Sequence, residues 1–186
     1  MMRRKKIIAT AALTGLAVVI FGVAGVAQIF ISPESFRRIS AMWMGAEYLG
    51  TEGVVMQTRR NNCGSAALKM VFDHFDIPST IVQIDTSLGL SVRGASMLSL
   101  KELAEKKGLG VEGWKYTIGD FVKAPMPAIV FVHGDHFAVA DSVTSDGYII
   151  LSDPALGKLR MTLGSFQKIW KGETLVFNKP DSDEAK

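Results

Sequence analysis

The chain has 186 residues, enough for one domain with an appendage, and a single cysteine, which excludes an intramolecular disulfide and a multi-cysteine zinc site. Its net charge of +3 and pI near 9.0 trace to Arg3, Arg4, Lys5 and Lys6; the rest is close to neutral and lacks a basic stripe interleaved with aromatics, which argues against nucleic-acid binding. A mean hydropathy of +0.22 is high for a soluble domain, and the excess is concentrated near the N-terminus.

After "MMRRKK" comes "IIATAALTGLAVVIFGVAGVAQIFI", residues 7–31, without a charge and with Gln28 as its one strongly polar residue. A run of about 20 apolar residues crosses a bilayer as one helix. The basic cluster stays in the cytoplasm, so everything after Pro33 is expected on the outer side. The competing reading is a cleaved signal peptide, with Gly25 and Ala27 as the small residues before the cut and a soluble periplasmic product. The run is longer than a usual signal core, which favours a retained single-pass anchor in a bacterial inner membrane. Residues 32–52 hold Phe36, Met42, Trp43, Met44 and Tyr48 among charges. They read as a juxtamembrane connector or as a short helix packing on the domain.

The body is expected to span residues 53–178, followed by an acidic tail over 179–186 that ends in "DSDEAK". Ala66, Ala67, Met70, Val71 and Phe75 recur at helical spacing until Pro78 stops the helix. A second helix is expected over residues 97–107, with Leu98, Leu100, Leu103 and Ala104 inward and Gly108 as its stop. Between them "TSLGLSVRGAS", residues 86–96, reads as a loop. Then the period changes: "PAIVFV", "FAVADSV", "YIILSD", "LRMTL" and "TLVF" are short strands, with a hairpin turn at Asp146-Gly147. Helices followed by a meander of strands predict an α+β fold with an antiparallel sheet.

Cys63 stands at the start of the first helix of the body. Unpaired backbone N–H groups and the positive end of the helix dipole favour thiolate there. A small buried filler is the alternative role for a lone cysteine. A nucleophilic thiol needs a base, and the chain offers three histidines. His74 lies eleven residues further along the same helix, roughly 16 Å away along its axis, out of reach. His136 opens a strand after a Gly-Asp turn, where a side chain can project into a cleft; His133 ends the preceding strand and is expected to face solvent. A metal site from His133, Asp135 and His136 is disfavoured because Gly134 breaks the segment. Asp153, at the end of the strand after the hairpin, returns toward His136, where a carboxylate would fix the imidazole tautomer. Turn chemistry is the other reason for an Asp-Pro there. Gln57 precedes the thiol closely enough for its amide to serve an oxyanion hole beside the Cys63 N–H. Asn61 and Asn62 are alternative donors, though their place beside the helix suits a cap.

The order Gln57, Cys63-Gly64 on a helix, His136 on a strand and Asp153 on the next is the layout of a papain-like cysteine peptidase. More specifically, "VMQTRRNNCGSAALKMVFDHF" resembles the active-site region of the bacteriocin-processing peptidases that cut after double-glycine leaders. So do "RGASMLSLKELAEKKGLGVEGW", "PAIVFVHGDHFAVADSV" and "ILSDPALGKLRMTLGSFQKIWKGETLVF". The resemblance implies Cys63 as nucleophile, His136 as general base, Asp153 as the orienting acid and Gln57 as oxyanion donor, with no metal or organic cofactor. Asn62 departs from the family, many members of which carry Asp there. Relatives fused to exporters keep this domain in the cytoplasm, whereas here it is expected outside.

The expected activity is therefore hydrolysis of a peptide bond after small residues in an exported protein, with a secretion system as a candidate partner. Residues 86–96 are the candidate wall of the cleft, with Leu88, Leu90 and Val92 offering contacts to apolar substrate residues. A Cys-His murein-cleaving or acyl-transfer enzyme is the alternative chemistry. A non-catalytic module binding an export substrate is the alternative from another class.

Overall fold

The computed structural model describes residues 32–179, so the apolar run at residues 7–31 and all of the acidic tail beyond Lys179 lie outside the described residues. Among the described residues no helix is long and apolar enough to cross a membrane. The chain divides into two compact units, Met1–Ile39 and Ser40–Lys186. Of the first, only residues 32–39 are described; they lie largely in α1 (Pro33–Trp43), whose first turn is held by the Ser35 N–H donating to Ser32 Oγ at 3.1 Å.

The second unit is built on one antiparallel sheet of seven strands in the order β1-β6-β5-β4-β3-β7-β2. They are β1 (Ala46–Gly50), β2 (Gly110–Lys115), β3 (Ala128–Val132), β4 (His136–Val143), β5 (Tyr148–Asp153), β6 (Gly157–Thr162) and β7 (Trp170–Asn178). Strands β3 to β6 form the expected meander, and the β4–β5 hairpin turns at Gly147, whose φ of +83° suits glycine. Strand β7 then returns to pair with β3.

Alternation along the strands gives the sheet two apolar faces. On one, Ile129, Phe137, Val139, Leu175 and Phe177 pack under α2 (Cys63–His74), α3 (Ile81–Leu88) and α4 (Met97–Lys106). On the other, Val130, Ala138, Leu151, Leu159 and Met161 form a core with Phe121 of α5 (Ile118–Phe121) and Phe166 of α6 (Leu163–Ile169). Helix α2 lies against β4, and this contact brings the cysteine to the strand that starts with His136.

Several elements differ from the sequence expectation. Helix α3 runs on through residues 86–88, expected to be loop: Thr80 and Gln83 form a capping box, and Gly89 closes the helix in the left-handed region at φ +55°. Strand β1 lies within the segment read as a connector, yet Ala46, Glu47 and Tyr48 pair with Met161, Arg160 and Leu159. Strand β2 pairs with β7 along its full length, and α6 interrupts the run between β6 and β7.

Candidate active site

Helix α2 buries Ala66, Ala67, Leu68, Val71 and Phe72 completely, which fixes its axis against the sheet and sets Cys63, 8% exposed, at its first turn. Gly64 permits the close approach. A Cβ there would stand 3.2 Å from Ala95 Cβ, 3.3 Å from Phe137 Cδ2 and 3.4 Å from Leu100 Cδ1.

His136 is the first residue of β4, opposite Val132 of β3. Val139 pairs with Ser152, so Asp153 comes back beside the residues that follow His136 and reaches it on the diagonal. His136 Nε2 lies 3.0 Å from Asp153 Oδ1. The same oxygen accepts the Ala155 N–H at 2.7 Å and the Leu156 N–H at 3.1 Å. One carboxylate thus both builds the Asp-Pro turn and contacts the imidazole.

With Nε2 on Asp153, Nδ1 is the nitrogen left for the thiol. Burial pushes the Cys63 pKa up, but hydrogen bonding to His136 and to the Phe137 N–H, the imidazolium charge and the Gly64 N–H together bring it below the usual thiol range. His136 is the complement. Burial disfavours its charged form, yet hydrogen bonds to Asp153 and Cys63 and their negative charges raise it to about 10. Both shifts favour a thiolate–imidazolium pair.

Gln57 is tied to the same corner by its backbone. Its N–H donates to the Pro154 carbonyl at 2.8 Å, one residue beyond Asp153, and its side-chain Oε1 is buried without a hydrogen-bond partner among the described residues. The two asparagines do not behave as caps. Asn62 occupies the N-cap position of α2 but makes no side-chain cap hydrogen bond. Its Nδ2 donates to Thr58 Oγ1 and Asp85 Oδ2 instead, and Oδ1 accepts the Arg59 N–H. Asn61 Nδ2 donates to the Ser91 carbonyl at 2.8 Å. The other histidines stand apart: His74 is exposed in the last turn of α2, and His133 is exposed in the β3–β4 turn with its N–H on the Ile169 carbonyl.

The profile of the peptidase C39 family matches residues 51–182. This chain belongs to the C39 peptidase family. It is 35% identical over 135 residues to an uncharacterized protein of Methanothermobacter thermautotrophicus, covering 71% of this chain and 92% of that one. It is 30% identical over 138 residues to the lactococcin-G-processing and transport ATP-binding protein LagD of Lactococcus lactis, covering 70% of this chain but 19% of that much longer protein. Among solved structures, a double glycine motif protease from an AMS/PCAT transporter, in complex with its leader peptide, superimposes with a TM-score of 0.66 at 26% identity, over 68% of this chain and 91% of that one. The fold of this C39 peptidase is thus the α+β, papain-like one expected for double-glycine processing domains.

The turn at Ser91–Gly94 sits on Asn61: a Cβ on Gly94 would come within 2.7 Å of the Asn61 carbonyl oxygen. Val92 at its tip is 95% exposed, whereas Leu88 packs on the core. Sequence reasoning missed Arg59 and Asp85, whose ion pair flanks the cysteine-bearing segment. The capping box that starts α3 was the available signal for a helix carrying Asp85 inward.

Proposed function

We propose that this chain is an envelope-side cysteine endopeptidase, anchored by residues 7–31, that cuts an exported protein after a pair of small residues. The observation that carries the chemistry is His136 placed between Asp153 and Cys63. The Cys63 thiolate attacks the scissile carbonyl carbon, forming the C–S bond and an oxyanion. The Cys63 N–H and the Gln57 side-chain amide receive that charge. The Nδ1 proton of His136 passes to the leaving amine as the C–N bond breaks. His136 then takes a proton from water, whose oxygen hydrolyses the thioester and releases the thiolate. Asp153 keeps the ring in the orientation that serves both steps.

The preference for small residues is supported by the double glycine motif named for a structurally similar protease. A narrow slot rejects bulky side chains by steric clash, a stronger filter than the roughly 1–3 kcal/mol of one methylene. The outward orientation is supported by the charge of residues 3–6 ahead of the apolar run.

A peptide library offered to the full chain should be cut after paired small residues, and Cys63→Ala should end all cutting. Efficient cleavage after large residues would remove the double-glycine reading. Cys63→Ala protein that still cuts would remove the mechanism. For the location, a reporter active only outside the cytoplasm, fused after Lys186, should be active, and the protein should stay in the membrane fraction after alkaline extraction. A soluble product starting near Gln28 would mean that the segment is a cleaved signal.

A further inference from the structure

Asp85 is a buried carboxylate with no part in the chemistry above. It projects from α3 with 7% of its surface exposed, and burying a carboxylate is costly unless it is paired. Its Oδ2 accepts from Arg59 Nη2 and, at 3.3 Å, from Asn62 Nδ2; its Oδ1 is buried without a hydrogen-bond partner among the described residues. Both partners belong to the short segment between Gln57 and Cys63.

Asn62 is fully buried, and each end of its amide is engaged away from α2. Nδ2 is shared between Asp85 and Thr58 Oγ1 (3.1 Å), and Oδ1 accepts the Arg59 N–H at 3.0 Å. An asparagine at an N-cap ordinarily turns its oxygen onto the first-turn N–H groups. Here those N–H groups receive no side-chain cap. They belong to the turn that carries Cys63, where the Gly64 N–H already supports the sulfur.

We propose that Asp85 is a positioning residue that, through Asn62 and Arg59, holds the segment before Cys63 closed and keeps the first-turn N–H groups of α2 free for the thiolate and the oxyanion. This rests on the reading of Cys63 as nucleophile. The charged group in contact with Cys63 is His136 from β4, with Asp153 behind it; Arg59 and Asp85 form their own pair beside them.

The test uses three full-length variants: Asn62→Asp, Asp85→Asn and the two together. Asn62→Asp sets two buried carboxylates face to face. The new one turns away from Asp85 onto the α2 N–H groups, adding negative charge beside the sulfur. The pH midpoint of Cys63 alkylation by iodoacetamide should then rise by about one unit, the scale of a helix-terminus interaction. Turnover of a Gly-Gly peptide should fall by about 10²-fold in kcat, as for a misplacement of about 1 Å, with KM little changed. Asp85→Asn keeps an acceptor oxygen for Asn62 and should have the smallest effect. In the double variant the amide at position 85 donates to the carboxylate at position 62, restoring the contact with donor and acceptor exchanged, so midpoint and kcat should move back toward the parent values. Simple proximity of the new charge predicts no such recovery, and simple loss of stability predicts no change of midpoint in the folded protein. Asn62→Asp protein with the parent midpoint and kcat, or a double variant no better than the single, would overturn the proposal. Turnover that survives Cys63→Ala would instead overturn the underlying mechanism.

Discussion

Replacing Asp153 by Asn should narrow the pH range of activity from the alkaline side. The change removes a charge and leaves the turn in place, because an amide oxygen can still accept the Ala155 and Leu156 N–H groups and face His136 Nε2. Nε2 and Oδ1 meet at 3.0 Å, and two unit charges centred about 4 Å apart at an effective dielectric of about 20 attract by about 4 kcal/mol. At 1.36 kcal/mol per pKa unit, this corresponds to about three pH units. The His136 pKa, raised to about 10 in the native site, should therefore fall to about 7. The sign follows from the chemistry: the imidazolium that protonates the leaving amine is present below this pKa and lost above it. The alkaline limb of the kcat/KM profile should move down accordingly, and turnover at pH 8 should drop about ten-fold, one unit above the new pKa. The acid limb, set by Cys63 while His136 is still protonated, should stay close to its parent position. The assay is the pH profile of cleavage of a Gly-Gly peptide by parent and variant. An alkaline limb that stays in place would show that Asp153 serves the turn and not the ring.

Gln57→Ala should lower kcat by about 10²–10³, the cost of one oxyanion donor, with thermal unfolding unchanged; near-normal turnover would move the donor role to Asn61 or Asn62. His136→Ala should slow iodoacetamide labelling of Cys63, whereas His74→Ala and His133→Ala, at exposed positions, should not; equal effects at all three would contradict the assignment of the base. Gly64→Ala should destabilise the protein by about 1–3 kcal/mol, because the added Cβ meets Ala95, Phe137 and Leu100 at 3.2 to 3.4 Å; an unchanged melting temperature would mean that α2 can shift outward.

The parts of this fold that could be read from sequence are those with strong local signals. The spacing of Ala66, Ala67, Met70 and Val71 marks α2, and the β-branched runs mark β3 to β5. The glycine at the β4–β5 turn fixes the hairpin that carries Asp153 back to His136. Strands β1 and β2 escaped because both are sheet edges: "AEYLG" and "GVEGWK" are short, glycine-containing and polar on one face, as edges that resist further pairing tend to be. Helix α3 escaped because it has only eight residues, and its one distinct signal is the Thr80–Gln83 box. Position alone suggested a cap for Asn62. The structure assigns it otherwise because Asp85, far along the chain, offers a charged acceptor that the exposed end of a helix would not.

The central claim is that Cys63 is held as a thiolate by His136. Because the chain has a single cysteine, ultraviolet absorbance of the thiolate across a pH titration reports on Cys63 alone, with Cys63→Ser as the blank. The account predicts a thiolate signal that persists well below the ordinary thiol value of 9.0. A thiolate that forms only at or above that value would contradict it.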